Sequence, residues 1–452
     1  MRLAPGTGPD TQHGYLLFAL AGAVITLVAL LGAHVLSSDT GRCKPGEKLV
    51  VLGGRDDSGA RGSLIGAWPG SHGMKAEFQE LPSDTDLEHS EVVSAARSGT
   101  CRADVYIVDT PWIPEFAKAG YIDPVGIPER ELRPIMPKIL ATTRYRGDLW
   151  AVPLNTDAPL LLYRKDLVGN VPQDRKRLMA DASTLANTPG SRLGSGLALQ
   201  LRRYEGLTVN LLELVRDHGG DITVGEDGKV TIGREAVGAA LRELSSGFQG
   251  AHPAIRPASL DSNEDKDRAA FEDGEVAFMR NWPTQYTLIS NNGKLKPWQI
   301  GAVPFPGERV LGGQSLAIAA SLPDGRARAA RDLLRYITDR EQQRRLFACG
   351  GWASVRADVY RLGAGDCAGQ GTSHKRIVLH ADAQVIYQAV AGARPRPSSP
   401  YYPEFSRELR ARVHAQLTCM ATTCAQLPDQ GLGKFLDELP PALEQAARGR
   451  MR

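Results

Sequence analysis

Neither sign of charge is in excess in this chain: 54 Lys and Arg stand against 51 Asp and Glu, a formal net charge of +3. That balance, with no basic run of five residues, supplies no field to gather a phosphate backbone or an anionic membrane surface, so no nucleic-acid partner is expected. Histidine is scarce, at nine in 452 residues, and no CxxC spacing occurs, so neither a metal site nor a cofactor is expected. The GxSxG, HExxH and Walker signatures are also missing, and no solenoid-type repeat recurs. What is present is apolar content of 42%, which argues against disorder, in a chain of 452 residues, long enough for two sizeable cores or one large one.

Long apolar runs are equally rare, with one exception near the N-terminus. From Gly14 to Ala33 there is no charged residue, and YLLFALAGAVITLVALLGA is long enough to cross a bilayer or to form the apolar part of an export signal. We read residues 1–42 as an export signal or membrane anchor with its linker, with 14–36 as the segment itself and the remainder outside the cytoplasm. The six cysteines, Cys43, Cys101, Cys349, Cys367, Cys419 and Cys424, all lie beyond that run, as disulfides in an exported chain require. Cys419 and Cys424, in CMATTC, are the most local pair; Cys43 with Cys101 and Cys349 with Cys367 complete the expected set.

Past the linker, strands and helices alternate. KLVVLGG reads as a strand ending in glycines, a helix follows around Gly62 to Trp68, and a second strand lies near Met74 to Glu80. ADVYIVD is short and nearly all apolar with acidic ends, the pattern of a buried parallel strand. PWIPEFAKAG begins a helix with proline and stops it at Gly120. EGLTVNLLELVRDHGG has Leu207, Leu211, Leu214 and Val215 at helical spacing with a glycine stop. EVAFMR is a further strand, followed by a polar-aromatic tip. Such alternation predicts an α/β fold, whose ligands bind outside the carboxyl ends of the strands.

ADVYIVDTPWIPEFAKAGYIDPV, AVPLNTDAPLLLYRKDLV, RRYEGLTVNLLELVRDHGG, GEVAFMRNWPTQY, LGGQSLAIAA and ARPRPSSPYYPEFS follow one another over about Val50 to Leu417. In order and spacing they resemble the extracellular solute-binding proteins of bacterial ABC importers, among them maltose- and trehalose-binding receptors. The resemblance implies a two-lobed periplasmic-binding-protein-like fold with a ligand cleft. It also implies three interlobe crossings, near Asn155 to Pro159, near Pro304 to Gly312 and between Ala357 and Gly371. Residues 43–155 with 312–365 would form one lobe, and 156–311 with 366–452 the other. The implied activity is non-enzymatic: a monomeric receptor delivers a small carbohydrate, a disaccharide such as trehalose or maltose, to ABC permease subunits. A membrane-tethered sugar sensor is the alternative. A secreted glycoside hydrolase would need two carboxylates set across the scissile bond, and local contexts already explain the acids present.

Asp109 closes the ADVYIVD strand, where it either accepts sugar hydroxyls or caps the following helix. Trp282 can pack its indole on the C–H face of a pyranose, with Asn281 and Tyr286 as lesser candidates. We expect Asp109 and Trp282 on opposite lobes, meeting only through sugar. Asn155 and Asp157 sit at the first crossing, where they turn the chain and can reach ligand. Glu205 stands at a helix N-terminus, a common structural position for a carboxylate, and ranks below Asp109 as a ligand-binding candidate. Gly312 and Gly313 allow close backbone approach, and Gln314 follows them where many of the resembled receptors carry an aromatic or Asn. Arg394 offers a bidentate donor for vicinal hydroxyls or an interlobe salt bridge.

Overall fold

The computed structural model describes residues 48–98, 102–362, 383–422 and 429–449. The segment 14–36 lies outside them; among the described residues no helix is long and apolar enough to cross a membrane. Cys43, Cys101, Cys367 and Cys424 also lie outside, so the three expected pairings do too, although neither Cys349 nor Cys419 is free and both are disulfide-bonded.

Five strands enter a first sheet: β1 (Leu49–Gly54), β2 (Ala76–Leu81), β3 (Val105–Asp109), β4 (Ile122–Asp123) and β5 (Val152–Pro153). The chain then builds a second sheet from β6 (Leu160–Arg164), β7 (Leu197–Ala198), β8 (Phe278–Asn281) and β9 (Ile300–Pro304), and returns to the first through β10 (Gln314–Ala319). The first sheet runs β2-β1-β3-β10-β4, with β5 also on β10; β1 is parallel to β2 and β3, whereas β10 is antiparallel to its neighbours. The second runs β9-β6-β8-β7.

The burial pattern explains the strand sequences. All five residues of β3 are buried, as a strand covered on both faces requires, and its VYIVD run is apolar up to the terminal acid. At the edge of the sheet β2 exposes Glu80 alongside β1, and charge on an edge strand discourages further pairing. Helices α1 (Ala60–Gly66) and α2 (Thr85–Arg97) follow β1 and β2, α3 (Glu205–Asp217) and α4 (Pro283–Asn292) belong to the second sheet's half, and α5 (Asp324–Thr338) and α6 (Arg340–Gly350) cover the first. Then come α7 (Ala383–Gly392), α8 (Tyr402–Thr422) and α9 (Asp429–Ala447). Arg326 anchors α5 beneath the first sheet by donating twice to Asp104, at 2.6 Å in each case, while Asp104 also accepts from the backbone of Val50.

The two halves join where the chain changes sheet. Asp157 and Gly312 exchange backbone hydrogen bonds of 3.0 and 2.8 Å, pairing the outgoing and returning strands. Gly313 has φ +129, and a Cβ there would stand 2.5 Å from the carbonyl oxygen of Asn155. We expect Gly313→Ala to lower stability by about 1–3 kcal/mol, the range for an overpacked site. Urea unfolding measures it, and an unchanged midpoint would show that the two passages can separate without strain.

Candidate functional site

A cavity of about 230 Å³ opens between the two sheets at this junction. The first half contributes the loop after β1, with Asp56 and Ser58, then Arg61 on α1, Glu88 on α2 and Asp109 at the end of β3. From the second half come Glu205 on α3, Glu264, and Trp282 at the start of α4; the junction itself supplies Asp157, Gly312, Gly313 and Gln314. Trp352, just past α6, and Arg396 complete the features used below.

Local structure puts each of these side chains in place. Gly351, at φ +72, ends α6 and releases Trp352 into the cavity wall. There the Arg61 guanidinium lies 3.5 Å from the Trp352 ring centroid, a cation–π contact. Arg61 also donates to Asn155 Oδ1 at 2.8 Å and Gln314 Oε1 at 2.6 Å, tying α1 to both passages of the junction. Burial lowers the pKa of Arg61 despite the surrounding Asp56, Glu88 and Asp157. Trp282 directs its indole N–H to Glu264 at 3.2 Å, and the Arg280 guanidinium lies 4.2 Å from its ring centroid. Arg280 is fully buried and paired with Glu213 at 2.8 Å, so the tryptophan is backed by a satisfied cation.

Asp109 has two roles. Its side chain accepts from the backbone of Thr110, as a cap does, and it receives Arg396 in a bidentate pair at 2.6 and 2.7 Å. Burial pushes its carboxyl up, against the pull of Arg396. Arg396 also reaches Glu205 at 3.0 Å, and Glu205 accepts from Tyr402, Ser406 and Arg410. Arg396 thus links Asp109 to Glu205 of the second half without a ligand, while Asp109 and Trp282 both line the cavity. Two further ion pairs run alongside, Arg202 with Asp84 at 2.7 Å and Arg410 with Asp86.

The other expected residues divide. Asp157, Gly312, Gly313 and Gln314 line the cavity, and Asn155 lies buried behind it, accepting from Arg61 and donating to Asp157 at 3.2 Å. Asn281 and Tyr286 do not reach it. Asn281 is fully buried, and its amide serves the Glu264 carbonyl and the Trp282 backbone; Tyr286 is packed in the core. Arg394 is exposed and pairs with Asp221 and Glu308, while Arg396, two residues on, enters the cleft. Arg61, Asp56, Glu88, Glu264, Trp352 and Arg396 were not anticipated. Only Trp352 carried a sequence signal, an aromatic directly after a Gly-Gly helix stop, the same kind of position as Trp282 beyond a strand end.

Two helix-covered mixed sheets, joined by strands that pass between them and enclosing a polar cavity at the junction, define a two-lobed binding protein of the periplasmic type. The chain belongs to the family of bacterial extracellular solute-binding proteins, whose profile matches residues 71–366. A probable ABC transporter-binding protein of Deinococcus radiodurans is 28% identical over 313 residues, 65% of this chain and 72% of that one. In fold the chain is similar to maltose-bound T. maritima MalE3, with a TM-score of 0.71 and 24% identity over 87% of this chain and 99% of that chain. It is also similar to the Thermus thermophilus maltotriose binding protein bound with maltotriose, with a TM-score of 0.67 and 16% identity over 88% of this chain and 99% of that chain. The family is one of extracytoplasmic binding proteins, not enzymes.

Proposed function

We propose that this protein is the carbohydrate receptor of an ABC importer, holding a small sugar of disaccharide size in the cavity and delivering it to permease subunits in the membrane. The observation that carries this reading is the pair of tryptophans, Trp282 and Trp352, lining one cavity from opposite halves among carboxylates and guanidinium groups. An indole face suits the apolar C–H face of a pyranose, and ionised donors and acceptors suit its hydroxyls. The maltose and maltotriose held by proteins of the same fold support the size and class of ligand, with trehalose and maltose as the first candidates.

In this reading residues 43–155 with 312–365 act as one lobe and 156–311 with 366–452 as the other, in a monomer. The segment 14–36 exports the chain or holds it at the membrane, and the six cysteines pair as expected for an oxidising compartment. A thermal-shift screen of residues 43–452 against mono- and disaccharides tests the proposal. A ligand that binds only the folded state, present at a hundred times its Kd, adds about 2.7 kcal/mol of stability and raises the melting temperature. A panel in which no sugar moves the transition would remove the carbohydrate reading.

A further inference from the structure

The charge lining the cavity is not balanced. Asp57 is neutralised by Arg55 at 2.7 Å, Asp109 by Arg396, Glu205 by Arg410 at 3.4 Å with Arg396 shared at 3.0 Å, and Asp265 by Arg268 at 3.3 Å. Asp56, Glu88, Asp157 and Glu264 also line the cavity, and none of them forms an ion pair within 4 Å among the described residues. Asp56 accepts from Ser58 and the Arg61 backbone, Glu88 from the Gly54 backbone, and Glu264 from the Trp282 indole, all uncharged donors. Among the described residues, the one cavity cation without an ion pair of its own is Arg61, whose charge Asp56, Glu88 and Asp157 share. Four such carboxylates against one guanidinium leave an excess of three negative charges when all are ionised.

A second, independent observation points to a ligand. Asp157 is only 6% exposed, and its Oδ1 is shielded from solvent with no hydrogen-bond partner among the described residues, its other oxygen accepting from Asn155. A buried carboxylate oxygen without a donor is costly, and the cost disappears when a donor, above all a charged one, arrives. Among the described residues no group of three or more His, Cys, Asp or Glu side chains is placed to hold a metal ion.

We propose that the ligand is a cationic carbohydrate, a sugar bearing a protonated amine, whose ammonium group is received by Asp157 with Glu88 and Asp56 beside Arg61. The inference rests on the cavity being a carbohydrate site and adds the charge of the ligand. Neutral hydroxyls satisfy single oxygens but leave the excess charge in place, whereas an ammonium supplies three donors and offsets one carboxylate outright.

The sign of the pH dependence separates the two ligand types. Burial raises Asp157 and Glu88 to about 7, against the pull of Arg61 on both. Asp157 also faces Asp109 and Arg280, and Glu88 faces Asp109 and His89. An ammonium favours the ionised carboxylates, so binding releases protons and affinity rises as pH rises through about 7, provided the amine stays protonated. A neutral sugar only adds burial, so its binding takes up protons and its affinity falls over the same window.

Calorimetric titration of trehalose and maltose beside their 6-amino-6-deoxy derivatives, at several pH values and two salt concentrations, tests the proposal. We expect at least one amino derivative to bind about tenfold or more tightly than its parent, the scale of one charge-assisted contact. That advantage should shrink at high salt and in Asp157→Asn and Glu88→Gln, with circular dichroism confirming that both variants fold. Parents that match or exceed all their amino derivatives, or an amine preference unchanged in both variants, would overturn the cationic ligand while leaving the carbohydrate reading intact. Failure of every sugar, neutral or amino, to bind would overturn both.

Discussion

Trp282→Ala is expected to weaken binding of the best ligand by about thirtyfold or more while the protein stays folded. The side chain is partly buried against the second half's core, lines the cavity, and has its N–H engaged by Glu264. Truncating an aromatic binding hot spot costs about 2 kcal/mol or more, which corresponds to that loss of affinity. A fully buried core tryptophan would instead show its loss in stability, at about 3–5 kcal/mol. Calorimetric titration beside urea unfolding of the same variant separates the outcomes. Undiminished affinity would remove Trp282 from the site, and loss of the folded population would make it a core residue.

The largest effect on stability is expected from Glu213→Gln. Glu213 and Arg280 form an ion pair whose side chains are 1% and 0% exposed. Glu213 accepts both Nε and Nη2 of Arg280, at 3.2 and 2.8 Å, and also the backbone of Val310. Arg280 reaches Gln200 at 3.1 Å, and Gln200 donates to Asp267 at 2.6 Å, so one network runs from α3 through β8 to the helix carrying Glu264 and Asp267. Glutamine keeps the shape but leaves a guanidinium buried without a counter-charge, which should cost about 3–5 kcal/mol in urea unfolding. A loss below about 1 kcal/mol would mean that the remaining hydrogen bonds, from Arg280 to Gln200 and from Val310 N–H to the side chain at 213, suffice. Because Arg280 also backs Trp282, ligand affinity should fall in the same variant.

Much of the fold was legible because its signals are local. In α3 the apolar spacing and the glycines after it marked a helix, and the structure ends it at Asp217 with Gly219 at φ +77. The all-apolar VYIVD marked a strand covered on both faces, and it lies inside the first sheet. Trp282 and the junction residues Asp157, Gly312 and Gly313 were legible for the same reason, each standing at a strand end or a turn. Less legible were residues whose role depends on distant partners. Arg61, in GARGSLIGAW, has no local mark of function, and its contacts are with Asn155 and Gln314, 94 and 253 positions away.

Arg394 and Arg396 show where sequence reasoning reached its limit. Both stand in ARPRP, and nothing in the residues themselves distinguishes them. Proline-rich chain favours an extended conformation of about three residues per turn, so side chains two positions apart leave in different directions. Arg394 pairs with Val310 in a short strand and meets Asp221 and Glu308 outside the cavity, which turns Arg396 onto Asp109 and Glu205.

By itself, then, the sequence determined the α/β class and much of the order of strands and helices, because periodicity, caps and glycine stops act within a few residues. Only the tertiary structure decided which polar groups share the cavity, that Asp109 is already held by Arg396, and that, among the described residues, Asp157, Glu88, Asp56 and Glu264 form no ion pair of their own. Charge balance and burial are sums over residues brought together from both sheets, and no stretch of chain carries that sum.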